Sequence, residues 1–183
     1  MRRLERTGLV AAAMATAAGG LLIGACAQQV SGTAEVNETD LAAYASEVTS
    51  SAAAASSSRA TAAARATDSA CDAFLSANGS SVRAFNDYID ASNTKGRNDP
   101  DTNGKADHAV ATLRHNARSV DQQVTWEVPP AVADPLRAYR DDTVALADTL
   151  ARRADTDTLN ATIDRFNVTK NTALTACQGH GTR

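Results

Sequence analysis

From residue 71 onward, apolar side chains recur at steps of four and three. Ala106, Val110, Leu113, Ala117, Val120 and Val124 form one such seam, and Leu136, Tyr139, Thr143, Leu146 and Leu150 form a second. Leu159, Ile163, Phe166, Lys170, Ala173 and Cys177 form a third. Steps of this size return to one face of a helix with 3.6 residues per turn. Upstream, Cys71, Phe74, Leu75, Val82, Phe85 and Ile89 keep helical spacing, with Asn78-Gly79-Ser80 expected as a kink or break. Pro129-Pro130 closes the helix that carries the 106–124 seam, because each proline pushes the residue before it out of the α region. Asp134-Pro135 is expected as the cap and first turn of the next helix, and Gly179 as the stop of the last. Four such segments on short connections predict an all-α fold, an antiparallel helical bundle of about four helices over residues 68–183.

The pattern fades toward the N-terminus. Across residues 40–67 the chain is rich in Ala and Ser, and only Leu41, Tyr44 and Val48 supply larger apolar groups at helical spacing. Alanine favours helix intrinsically, yet little apolar area is available for burial. Two readings stay open for this segment: a helix partly packed or frayed, and a disordered stalk. Residues 27–39 are polar and aperiodic and are expected to form a flexible tether.

Residues 1–25 have the layout of a secretory signal peptide. Arg2, Arg3 and Arg6 make a basic start, and Leu9 to Ile23 then runs without a charge. The run ends in LIGAC, residues 22–26, which resembles a lipobox, with an aliphatic residue, two small residues and a cysteine. In such motifs the cysteine thiolate takes up the lipid, and the small residues let a peptidase reach the bond before it. The resemblance makes Cys26 the lipid-attachment residue of a protein anchored on the extracytoplasmic face of a membrane. The apolar run is short for a spanning helix, which needs ~20 residues.

Charge and cysteine count narrow the partners. Removal of the signal peptide takes away three arginines and one glutamate, so the net charge moves from −3 to −5. An acidic domain without a basic stripe is poorly suited to nucleic acid, and anionic headgroups would not hold it at a membrane by charge alone. The aromatic content of 4% suits close-packed helices better than a β-sandwich. Of three cysteines, an acylated Cys26 leaves Cys71 and Cys177 as a pair, and a disulfide is expected in an oxidising compartment. In an up-down bundle these two fall near one end of the first and last helices, which are neighbours in the ring.

Candidate chemistry is sparse. Asp99, Asp101, Asn103, Gly104 and Asp107 match positions 1, 3, 5, 6 and 9 of a calcium loop. Val110 stands where the bidentate glutamate belongs, so a polar interhelical turn over 98–107 is the expectation and calcium the alternative. His108 and His115 are seven residues apart, about 10 Å along a helix, and cannot share one metal ion. Arg152-Arg153 and Asp141-Asp142 read as solvated faces with pairs along one helix. Trp126 reads either as a plug at the end of the bundle or as a contact residue, with the Tyr44–Val48 stretch as a second candidate contact face. No nucleophile elbow, phosphate loop, zinc-protease motif or cofactor signature occurs.

The overall design resembles the small exported lipoproteins of actinobacteria such as mycobacteria, many of unknown function. The likeness rests on LIGAC, on VSGTAEV at residues 30–36 and on the Ala, Thr and Arg composition. It covers the first forty residues and transfers no functional residues to the helical part. The expectation is a non-catalytic envelope protein whose bundle binds a protein partner or a hydrophobic ligand, or has a structural role. The alternatives are a calcium-dependent or other ligand-binding module, and an enzyme whose site carries no recognisable motif.

Overall fold

The computed structural model describes residues 37–180 and is all-α. Four helices follow one another: α1 (Glu38–Lys95), α2 (Pro100–Gln123), α3 (Pro130–Ala151) and α4 (Thr156–Ala176). Each packs against the next in sequence, so the chain runs up and down around a single core. Short connections leave no other choice, since a turn of a few residues can only return the chain antiparallel beside the helix it left. Cys26, the expected signal peptide and most of the expected tether lie outside the described residues.

Each helix begins where its first free N–H groups find an acceptor. Asn37, Asp99 and Asp155 cap α1, α2 and α4 by accepting from Thr39 N, Asp101 N and Thr158 N. Pro100 and Pro130 occupy first-turn positions, where a missing N–H costs nothing. The first helix ends at Gly96, whose φ of 88° lies in the region that glycine enters freely.

The core is built of a few large side chains set among alanines. Tyr139, Phe74, Leu113, Leu136, Leu146 and Leu150 are essentially inaccessible to solvent. Tyr139 stands at the centre: Phe74 meets it edge to face at 4.8 Å, and Phe166 packs tilted at 5.5 Å. This joins α1, α3 and α4 through aromatic contacts, each worth about 0.5–1.5 kcal/mol beyond the area it buries.

Three expectations are corrected. Asn78-Gly79-Ser80 does not break α1, which is continuous over 58 residues. Gly79 is exposed with open space around it. The turn is also held from outside: the Asn116 amide nitrogen on α2 is within 2.8–3.0 Å of Ala77 O, Ser80 Oγ and Ser81 Oγ. Asp134-Pro135 does not start α3; the helix begins at Pro130, and Pro135 lies inside it. That position is tolerated because the residue whose carbonyl loses its donor, Ala131, is exposed. Residues 98–107 are not an interhelical turn, since all from Pro100 onward belong to α2.

The Ala/Ser segment is helical as well. Residues 38–61 extend α1 well beyond the ends of its neighbours and remain exposed throughout. At 1.5 Å per residue the overhang is about 36 Å long. Without burial, the helix propensity of its alanines holds it. Several of its hydroxyls find a partner on their own helix, as in Thr49 Oγ1 to Ala45 O at 2.8 Å and Thr61 Oγ1 to Ser57 O at 3.0 Å.

Candidate functional site

Three of the four seams around the ring close along their length, and the fourth does not. The first and last helices come close together hardly anywhere beyond the disulfide between Cys71 and Cys177, where the Cα atoms are 5.5 Å apart. Further along the seam a cleft of about 250 Å3 opens between α1 and α4. Its floor is Leu113 and Leu146, from the two helices on the far side of the core. Val82 and Phe85 form one wall and Ile163 and Phe166 the other, with Asn86, Asn167 and Lys170 completing the lining.

Seam residues that would be buried in a closed bundle mark the opening. Val82, Phe85, Ile163 and Lys170 all sit at helical seam positions, yet each is only half-buried. Lys170 is the telling one. A lysine in an apolar stripe cannot be buried against a facing helix without leaving its charge unpaired in a poor dielectric. Its Nζ donates to Asn167 Oδ1 at 2.9 Å and lies 5.9 Å from the centroid of the Phe166 ring. Among the described residues it forms no ion pair.

Below the cleft lies a buried polar cluster. Ser81, which lines the cleft, accepts from Asn116 at 2.9 Å. The hydroxyl of Tyr139 is buried beside Ser81 and Thr143 but completes a well-aligned hydrogen bond to neither, and burial pushes its pKa up. Thr143 instead donates to the Tyr139 carbonyl at 2.7 Å. A neutral phenol beside hydroxyls and an amide contains no base able to activate a nucleophile.

The calcium-loop residues are drawn into other work. Asp99 caps α2, and Asp101 forms an exposed ion pair with Lys95 at 3.0 Å that holds its carboxyl below the usual range. Asp107 accepts from Arg153 at 2.7 Å, and Asn103 accepts from the same guanidinium through Oδ1 and its carbonyl. Asp99, Asn103 and Asp107 lie four apart on one helix face but spread over about 12 Å of its axis, and Asp101 stands on the opposite face, so the four cannot converge on one ion. Among the described residues no group of three or more His, Cys, Asp or Glu is placed to hold a metal. Arg153, read from sequence as part of a solvated face, ties the α3–α4 connection to α2. Arg97 does the same from the α1–α2 connection, donating to Thr156 Oγ1 and Ala154 O. Asp142, likewise assigned to a solvated face, reaches Arg165 on the neighbouring helix at 3.8 Å.

His108 and His115 are both exposed on α2. Trp126 is 89% exposed in the α2–α3 connection, beside Ala62 and Ala63 of α1, and does not plug the bundle end. Val128, two residues on, takes the buried position instead. Leu41, Tyr44 and Val48 are exposed on the overhanging part of α1.

Sequence reasoning missed Asn116, Ser81, Asn86 and Asn167. Asn116 falls between the seam residues Leu113 and Ala117, and that buried register was its one available signal. Lys170 was counted as a seam residue, but its charge was not used.

No curated protein and no solved structure matches the chain. A family model, the Rv2240c four-helix bundle domain, matches residues 53–178. The match begins within the exposed part of α1 and ends just after Cys177, so it contains the whole packed bundle and the cleft. The family takes its name from a Mycobacterium tuberculosis gene, in keeping with a mycobacterial-type protein. With well over half of its length matched, this chain belongs to the Rv2240c four-helix bundle domain family.

Proposed function

We propose that the protein is an exported lipoprotein, held at the extracytoplasmic face of a membrane by lipid on Cys26, whose bundle binds an apolar ligand non-catalytically between α1 and α4. The observation that carries the binding role is the contrast among the four seams. Three are closed, while the fourth exposes Val82, Phe85 and Ile163 above a leucine floor. Concave, mostly apolar sites with a few polar groups at the edge are the usual form of small-ligand pockets. Lys170 is the one charged residue in the lining, which favours binding over acid–base or nucleophilic chemistry.

The anchor is supported by the LIGAC motif. The Cys71–Cys177 disulfide is consistent with an extracytoplasmic location, and no helix among the described residues is long and apolar enough to cross a membrane. The exposed rod of residues 38–61 would hold the bundle away from the bilayer. A second reading, contact with an envelope protein, is favoured by the exposure of Trp126, since aromatic residues commonly anchor such interfaces.

Two measurements test the two halves of this reading. Cys26→Ser should release the protein from the membrane fraction or leave an unprocessed precursor; unchanged lipid labelling and retention would refute the anchor. Titration of the disulfide-bonded protein with 1-octanol should shift the methyl NMR signals of Val82 and Ile163. No response at those residues would refute the cleft as an apolar binding site.

A further inference from the structure

We propose that the α1–α4 cleft selects a single-chain alkyl carboxylate, with the chain on Leu113 and Leu146 and the carboxylate on Lys170. The inference rests on the cleft being an apolar ligand site and adds the charge and size of what enters it.

Charge comes from the position of Lys170. Other basic side chains either meet a carboxylate, as Lys95 meets Asp101 and Arg153 meets Asp107, or stand in open solvent, as Lys105 and Arg118 do, whereas Lys170 is half-buried in the lining of an apolar cleft. Among the described residues Lys170 has only neutral partners, the Asn167 oxygen and the Phe166 ring. An ammonium carries three donors, so two remain for a ligand. The cation is also half-buried at the edge of an apolar cleft, where a charge-assisted bond is stronger than in open water. Asn86 and Asn167 add amide groups to the same lining. No carboxylate belongs to that lining, so nothing there repels an anion.

Size comes from the volume. A cleft of about 250 Å3, a little below the usual ~300–1,000 Å3 of small-ligand pockets, suits a single short alkyl chain. Each methylene taken from water contributes about 0.8 kcal/mol at full burial. A free amphiphile fits these limits better than the protein's own anchor. From Glu38 to Ser81 the helix rises about 65 Å. The chain from Cys26 to Asn37, even fully extended, spans about 40 Å. A lipid tail adds about 15 Å, half the thickness of a bilayer's hydrocarbon core, so lipid on Cys26 still falls short of the cleft of the same molecule, and the occupant is a separate molecule.

The test uses the full chain carrying Cys26→Ser, purified with its Cys71–Cys177 bond formed, and follows NMR shifts on addition of octanoate, 1-octanol or octylamine. Octanoate should bind tightest, with shifts centred on residues 81–86 and 163–170. Lys170→Met should weaken octanoate about fivefold while changing 1-octanol less than about twofold, the difference expected of one partly exposed charge pair. Ile163→Trp, which fills the cleft, should abolish binding of both. Binding of 1-octanol as tight as octanoate, with Lys170→Met changing neither, would overturn the carboxylate assignment and leave the apolar site standing. Tighter binding of octylamine would overturn it in the same way. Failure of all three to bind would overturn both readings.

Discussion

Cys71 and Cys177 are separated by 106 positions in sequence and by 5.5 Å between their Cα atoms. They join the first helix to the last beside the one seam that packing leaves open. The bond thus holds the first and last helices together where side chains alone do so least. Lys170 lies seven residues before Cys177 and Asn78 seven after Cys71, so antiparallel packing brings these two to the same level, toward the cleft.

Reduction, or the paired Cys71→Ser and Cys177→Ser substitution, should therefore destabilise the protein without erasing its helices. A loop of this length is worth about 4–5 kcal/mol in the chain-entropy model, and about 2–4 kcal/mol is the usual measured loss. Urea unfolding followed by circular dichroism should show a lower midpoint, with helical signal retained before the transition. An unchanged midpoint would show that the bond contributes nothing.

Asn116→Ala should cost more than its small volume suggests. The change removes the donor shared by Ala77 O, Ser80 Oγ and Ser81 Oγ in a buried place, and an unsatisfied buried acceptor costs about 1–3 kcal/mol. Hydrogen exchange should quicken around residues 77–81 of α1 in the variant. A stability loss below about 0.5 kcal/mol would mean that water replaces the amide at no cost.

Trp126→Ala should leave stability within about 0.5 kcal/mol of the parent, as for other exposed positions. Trp126 is the chain's single tryptophan, so native fluorescence reads this residue alone. Emission should resemble that of solvated indole, and acrylamide should quench it readily. A blue-shifted, protected signal would restore the plug reading.

Asp155 supplies a test in pH. Hydrogen bonds from the Thr158 N–H and hydroxyl hold its carboxyl below the ordinary carboxylate range. A depressed folded pKa contributes stability that is present above the unfolded value and is lost as pH falls through the folded one. Asp155→Ala should accordingly lower Tm at pH 7, and the gap between variant and parent should narrow toward pH 2. A gap that is constant over this range would mean that the carboxylate charge takes no part in capping α4.

Millimolar calcium should leave Tm unchanged, because Asp99, Asp101 and Asp107 each already serve a cap or an ion pair. A rise of several degrees that Asp101→Ala abolishes would contradict this.

The all-α fold, the three C-terminal seams and the pairing of Cys71 with Cys177 were legible in the sequence. Each follows from a local rule: helical period, proline and glycine stops, and the neighbourhood of first and last helices in an up-down ring. Leu113, Leu136, Tyr139 and Leu146 are buried as their spacing predicts. Local rules misled where a distant partner intervened. Asn78-Gly79-Ser80 looks like a break until Asn116 is brought against it from another helix. Asp107 looks like a ligand until Arg153 arrives across 46 positions. The cleft was the least legible feature. Val82, Phe85, Ile163 and Lys170 carry the same helical period as buried residues, and a one-dimensional period tells which face turns inward, not how closely two faces meet. That separation depends on side-chain volumes facing one another across the α1–α4 seam, and only the tertiary structure decided it.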